Sequence, residues 1–148
     1  MAEMILLLAL MALSFYYWRK EKKRKEDEHW VRSCRSYLVR MAHSFRSDCQ
    51  ELADKAFEQY SRDMRNNYRT PADMGYMRYS FLERYMSSLD RLKDDYLKNV
   101  NAKLKTEMPH CTFTSIPLFL LAEYNVLITD IYNTFRDFEW RMHEQLMD

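Results

Sequence analysis

The chain has 148 residues with one glycine and three prolines, and 23 Lys and Arg balance 22 Asp and Glu. So few turn formers exclude sheets, barrels and phosphate-binding loops, which rely on glycine at tight turns, and leave an all-α chain of a few long helices. The balanced charge argues against a nucleic-acid binder, whose domain carries a basic surplus.

The chain opens on Met4-Ile5-Leu6-Leu7-Leu8-Ala9-Leu10-Met11-Ala12-Leu13-Ser14-Phe15-Tyr16-Tyr17-Trp18, fifteen residues without a charge. A basic collar follows at once: Arg19, Lys20, Lys22, Lys23, Arg24 and Lys25. At 1.5 Å per residue, fifteen residues cover about 22 Å, and eighteen counted from Met1 cover about 27 Å. That is short against a hydrocarbon core of roughly 30 Å and suits a thinner bilayer such as the endoplasmic reticulum. Tyr16, Tyr17 and Trp18 fall where an aromatic belt would meet the headgroups. The expectation is a transmembrane signal-anchor helix over residues 1–18, with residues 19–28 as a charged juxtamembrane segment. The basic side stays cytosolic, which puts the N-terminus outside or in a lumen. The endoplasmic reticulum is favoured, with a mitochondrial membrane as the alternative.

A cleaved signal peptide is the rival reading, and Ala12-Leu13-Ser14 offers a small-x-small site for it. A signal peptide wants positive charge ahead of its apolar run, and Met1-Ala2-Glu3 supplies none. A mitochondrial presequence fits less well, since Arg and Ser are absent from the first thirteen residues. The collar sets topology in this reading. Its second role would be attraction to anionic lipid, at about 1 kcal/mol per basic residue.

Residues 29–148 hold 17 basic and 17 acidic groups. That length makes one domain able to bury a core without metals or disulfides. Three cysteines, Cys34, Cys49 and Cys111, form a poor disulfide framework and suit a reducing compartment.

The first bundle helix is predicted over residues 29–66. Trp30, Cys34, Leu38, Met41, Phe45, Cys49, Leu52, Ala56, Tyr60 and Met64 recur at three- and four-residue spacings, the amphipathic pattern. Arg35, Arg46, Asp48, Glu51, Asp54, Lys55, Glu58, Arg62 and Asp63 make the opposite, solvated face. Thr70-Pro71-Ala72-Asp73 then reads as a helix start, with Thr70 as cap and Pro71 at the first helical position. Gly75 close behind predicts an irregular first turn. This second helix is expected over 71–107, on a seam of Leu82, Tyr85, Met86, Leu89, Leu92, Tyr96, Val100 and Leu104.

The third helix is predicted over 116–146, with Ser115 as its cap and Pro117 in its first turn. Its start, residues 116–128, is apolar apart from Glu123 and Asn125. That is too short for a second membrane span and reads as a helix buried on several sides. Ile131, Phe135, Phe138, Met142 and Leu146 return it to one face. Short connections make neighbours antiparallel, so the predicted architecture is an elongated antiparallel three-helix bundle behind an N-terminal membrane helix.

No catalytic constellation can be assembled, and we expect no enzyme activity, cofactor, metal or small-molecule substrate. His110 and Cys111, with Cys34 or His43, would be zinc ligands, but the paired ligand spacing is missing. Glu139 and His143 share a helix face without the further carboxylates of a di-iron bundle. What stands out is large side chains: 11 Tyr, 8 Phe, 3 Trp and 11 Met. Tyr76, Met77, Tyr79, Phe81 and Tyr85 surround most of one helix, and Tyr132, Phe135 and Trp140 mark another. A bundle buries one face of each helix, so the surplus suggests a partner interface.

The general form resembles spectrin repeats and the regulatory bundles of membrane-fusion proteins, which carries no function. The leading expectation is a single-pass, membrane-anchored helical interaction module, an accessory or assembly subunit among other membrane-complex proteins. The alternatives are a lipid-handling subunit at the bilayer surface, with 116–128 and the collar touching membrane lipid, and a secreted helical-bundle ligand released by cleavage near Ser14.

Overall fold

The computed structural model describes residues 2–67, 70–107 and 118–147. Three helices account for them: α1 (Ala2–Asn67), α2 (Pro71–Glu107) and α3 (Leu118–Met147). No strand occurs among the described residues. The chain divides into two compact units, Met1–Ser36 and Tyr37–Asp148. The cap expected at Ser115, together with Pro117, His110 and Cys111, lies outside the described residues.

In the first unit α1 passes through the collar without a break, so the segment bounds at residues 18 and 28 are not helix ends. Nothing there stops a helix, since Pro71 is the first proline and Gly75 the single glycine. Ion pairs one turn apart support it. Arg24 reaches Glu21 at 2.6 Å and Glu28 at 3.7 Å, and Arg32 reaches Glu28 at 3.8 Å. Exposed pairs at this spacing contribute a few tenths of a kcal/mol each.

The transmembrane expectation is corrected here. Among the described residues no helix is long and apolar enough to cross a membrane. The physical reason is the shortness of the uncharged run. Any eighteen-residue stretch that begins at Met4 takes in Arg19, Lys20 and Glu21. The single-pass placement, with an outer or lumenal N-terminus and a cytosolic bundle in the endoplasmic reticulum or a mitochondrial membrane, loses its basis with it.

In the second unit three segments pack side by side. Phe45 meets Tyr96 edge-on at 5.2 Å between centroids, and Tyr60 meets Phe81 at 4.6 Å. As numbers rise along α1 they fall along α2, so the two are antiparallel. Tyr85 bonds to Phe138 and Tyr124 to Asn101, which makes α2 and α3 antiparallel as well. It follows that α1 and α3 run in the same direction. The core is one apolar stripe per helix: Leu38, Phe45 and Cys49; Phe81, Tyr85, Leu89, Val100 and Leu104; and Leu120, Leu127, Ile131, Phe138, Met142 and Leu146. Thr134 is the buried polar residue among them.

The start of α2 is chemically explicit. The Asp73 backbone N–H donates to Thr70 Oγ1 at 3.2 Å, and that hydroxyl donates to the Asp73 carboxylate at 2.7 Å. The Met74 N–H donates to the Thr70 carbonyl at 3.1 Å. Gly75 causes no irregularity: it lies inside regular helix, without a positive φ. The Thr70 cap and the Pro71 ring hold the turn that its flexibility would loosen.

Two stability outcomes follow. Thr70→Ala removes the cap and should cost about 1 kcal/mol in urea unfolding. Leu89, fully buried, should cost about 2–5 kcal/mol when changed to Ala, through lost transfer energy and the cavity left behind.

Candidate interaction surfaces

The chemistry of the core explains which large side chains are available for recognition. A tyrosine can enter an apolar seam only if its hydroxyl finds a partner. Tyr85 is 2% exposed, and its O–H donates to the Phe138 backbone carbonyl at 3.2 Å. The Tyr96 O–H donates to the Asp48 carboxylate. The Tyr124 O–H donates to Asn101 Oδ1 at 3.0 Å. Burial raises all three hydroxyls above the ordinary tyrosine range, and for Tyr96 the bonded Asp48 carboxylate adds to the rise.

The predicted aromatic interface is thereby divided. Phe81 and Tyr85 are core residues, two turns and one turn ahead of Leu89 on its own stripe, and present almost no outer surface. Assigning them to an interface is corrected on that ground. Met77 is half-buried. Tyr76 and Tyr79 stand out at 74% and 66% exposure. On α3, Phe135 is half-buried beneath the Lys93 ammonium, which sits 4.4 Å from its ring centroid and 5.7 Å from that of Tyr132. Lys93 also pairs with Asp90 at 2.6 Å, and that bond holds its pKa above the usual lysine value. Tyr132 remains 45% exposed and Trp140 64% exposed.

In the first unit, Met4, Ile5, Leu6, Leu7, Leu8, Leu10, Leu13, Phe15, Tyr16, Tyr17 and Trp18 are all more than half exposed. Phe15 and Trp18 lie 5.8 Å apart between centroids, and Lys22 sits 5.6 Å above the Trp18 ring. Arg19, Lys20, Lys22, Lys23, Arg24 and Lys25 are exposed too.

Two open clefts lie along the α1–α3 side of the second unit, each of about 430 Å³. The first has Leu38, Val39 and Ala42 on α1 and Ala122, Val126 and Leu127 on α3, with Arg46 and Asp130 at its rims. The second passes Phe57 and Glu58 on α1 and Phe138, Arg141 and Met142 on α3. The sequence did not reveal these clefts. The signal available was Val39, an apolar residue off the α1 seam, and Val126 within an apolar run.

Among the described residues no group of three His, Cys, Asp or Glu side chains could hold a metal ion. Glu139 and His143 are exterior or half-buried positions of α3. No family model, curated protein or solved structure matches this chain.

Cys49 lies in the core with no exposed surface. Burial raises its thiol from 9.0 to about 12, and the neighbouring Asp48 charge adds to the rise. A folded-state pKa raised above the unfolded one gives stability that is complete below the unfolded pKa and is lost as pH rises toward the folded one. Urea unfolding should therefore show stability falling from about pH 9 upward, with Tyr85 and Tyr96 adding to the fall above about pH 10. Cys49→Ala should flatten the slope between these two points.

Proposed function

We propose that the chain is a helical interaction module: a non-catalytic assembly subunit of a larger protein complex. The observation that carries this reading is the set of exposed aromatics on a well-packed bundle, above all Tyr76, Tyr79 and Trp140. Each is large, and each lies on an outer helix face where the core draws no benefit from it. Tyrosine and tryptophan are enriched among residues that dominate binding energy, because they combine wide apolar contact with a polar handle at small entropic cost.

The chemistry of the core supports the same reading from the other side. The buried tyrosines spend their hydroxyls on neighbouring helices, which is a structural use. The described acids and bases fall mostly on outer faces, where Arg62–Glu58 and Arg141–Asp137 pair one turn apart at 2.9 and 2.8 Å. Such an arrangement suits a solvated exterior around a recognition patch.

The test is a triple variant, Tyr76→Ala, Tyr79→Ala and Trp140→Ala, in the full-length tagged chain. Its circular dichroism and melting should match wild type, because none of the three is buried. On native separation the wild type should migrate with defined companion chains, identified by mass spectrometry. The variant should lose at least one of them, with an affinity drop of about thirtyfold or more. Full retention of every companion by a folded variant would sink the reading.

A further inference from the structure

We propose that the α1–α3 clefts seat a second copy of this chain, related to the first by a two-fold axis running along the cleft. The proposal goes beyond the reading above, since it requires only the chain itself.

The argument begins with the apolar content of the first cleft. Val39 and Val126 flank it at 57% and 61% exposure, over a bed that includes the buried Leu38 and Leu127. Large apolar side chains on both rims of an open cleft are positioned to bury surface against another body.

The charges then select the occupant. Two turns beyond Val39, α1 contributes Arg46 to the cleft, and one turn beyond Val126, α3 contributes Asp130. At the second cleft the signs are exchanged, with Glu58 on α1 and Arg141 on α3. Because α1 and α3 run in the same direction, a two-fold axis along the cleft lays α1 of each copy over α3 of the other at an unchanged level. Arg46 then meets Asp130 of the second copy, and Glu58 meets Arg141 of the second copy. Every pair forms twice, as an isologous interface requires. Val39 then faces Ala122 of the second copy, and Val126 faces His43, in the same arrangement. The present partners of Glu58 and Arg141 are exposed pairs one turn away, at 2.9 and 2.8 Å. Such pairs are weak enough to be exchanged.

The test measures self-association of the purified full-length chain by sedimentation velocity, for wild type, R46E, D130R and R46E/D130R. A site-specific readout accompanies it. V39C and A122C chains are mixed and oxidised, and the linked positions are read by peptide mapping. The expected result is a wild-type dimer. Each single reversal should weaken it at least about tenfold, since like charges then face each other, and the double reversal should restore it to within about threefold. The disulfide should join position 39 of one copy to position 122 of the other. A monomer at every concentration overturns the proposal. So does association that ignores the single reversals, or that is not rescued by the double one. So does a disulfide that joins position 39 to itself. These measurements contain no other protein, so their failure leaves the companion-binding test untouched, and the reverse also holds.

Discussion

Three tyrosine hydroxyls, one buried and two partly buried, set the register of the bundle. Apolar stripes alone would let neighbouring helices slide by a turn and still bury similar area, because leucine on leucine has little directional preference. A tyrosine hydroxyl in a dry seam does not tolerate this, since leaving it unpaired costs about 1–3 kcal/mol. Tyr85 ties α2 to the Phe138 carbonyl of α3, Tyr96 ties α2 to Asp48 of α1, and Tyr124 ties α3 to Asn101 of α2. Every one of these bonds has an end on α2, so α2 sets the position of both neighbours. The rings do part of the same work, with Phe45 on Tyr96 and Tyr60 on Phe81 joining α1 to α2 at two separate levels.

Because α2 holds both neighbours, the α1–α3 side is where the bundle stays open. The two clefts lie on this side. The exposed aromatics divide in a similar way. Those on the α2 stripe became core, and those off it, Tyr76 and Tyr79, remain outside. Exposed aromatic surface and core are thus two outcomes of one helical period applied to a sequence rich in large side chains. Position relative to Leu89 decides which outcome each residue meets.

Much of this was legible in the sequence, for local reasons. Thr70 and Pro71 announced the start of α2 because a cap and a fixed φ act within one turn. Leu89, Val100, Leu104, Ile131, Phe138, Met142 and Leu146 were assigned to apolar seams by spacing alone, and all are buried. What remained hidden depended on distant partners or on competing local effects. The continuity of α1 was one option the sequence left open beside a boundary at the charge run, and Glu21, Arg24, Glu28 and Arg32 in and beyond that run pair at helical spacing. The membrane span failed on length, where fifteen uncharged residues meet an immediate cluster of charges. Phe81 was left off the predicted seam, and Tyr85, though on it, was also counted toward an interface, because a single sequence does not reveal which of two aromatic faces will meet a neighbour. The clefts arise from the parallel course of α1 and α3, a tertiary fact with no local sign.

The ion pairs of the first unit carry a further consequence. Glu21, Arg24, Glu28 and Arg32 are all solvent-exposed, and they hold a stretch of α1 that has few apolar residues to bury. Helix order there draws on Coulomb attraction through water, which mobile ions screen over about 8 Å at physiological salt. The second unit draws instead on buried area and buried hydroxyls, which ions scarcely reach. Ionic strength therefore acts unevenly along one unbroken helix, loosening the charged stretch of α1 while leaving Leu38, Phe45 and Cys49 in place.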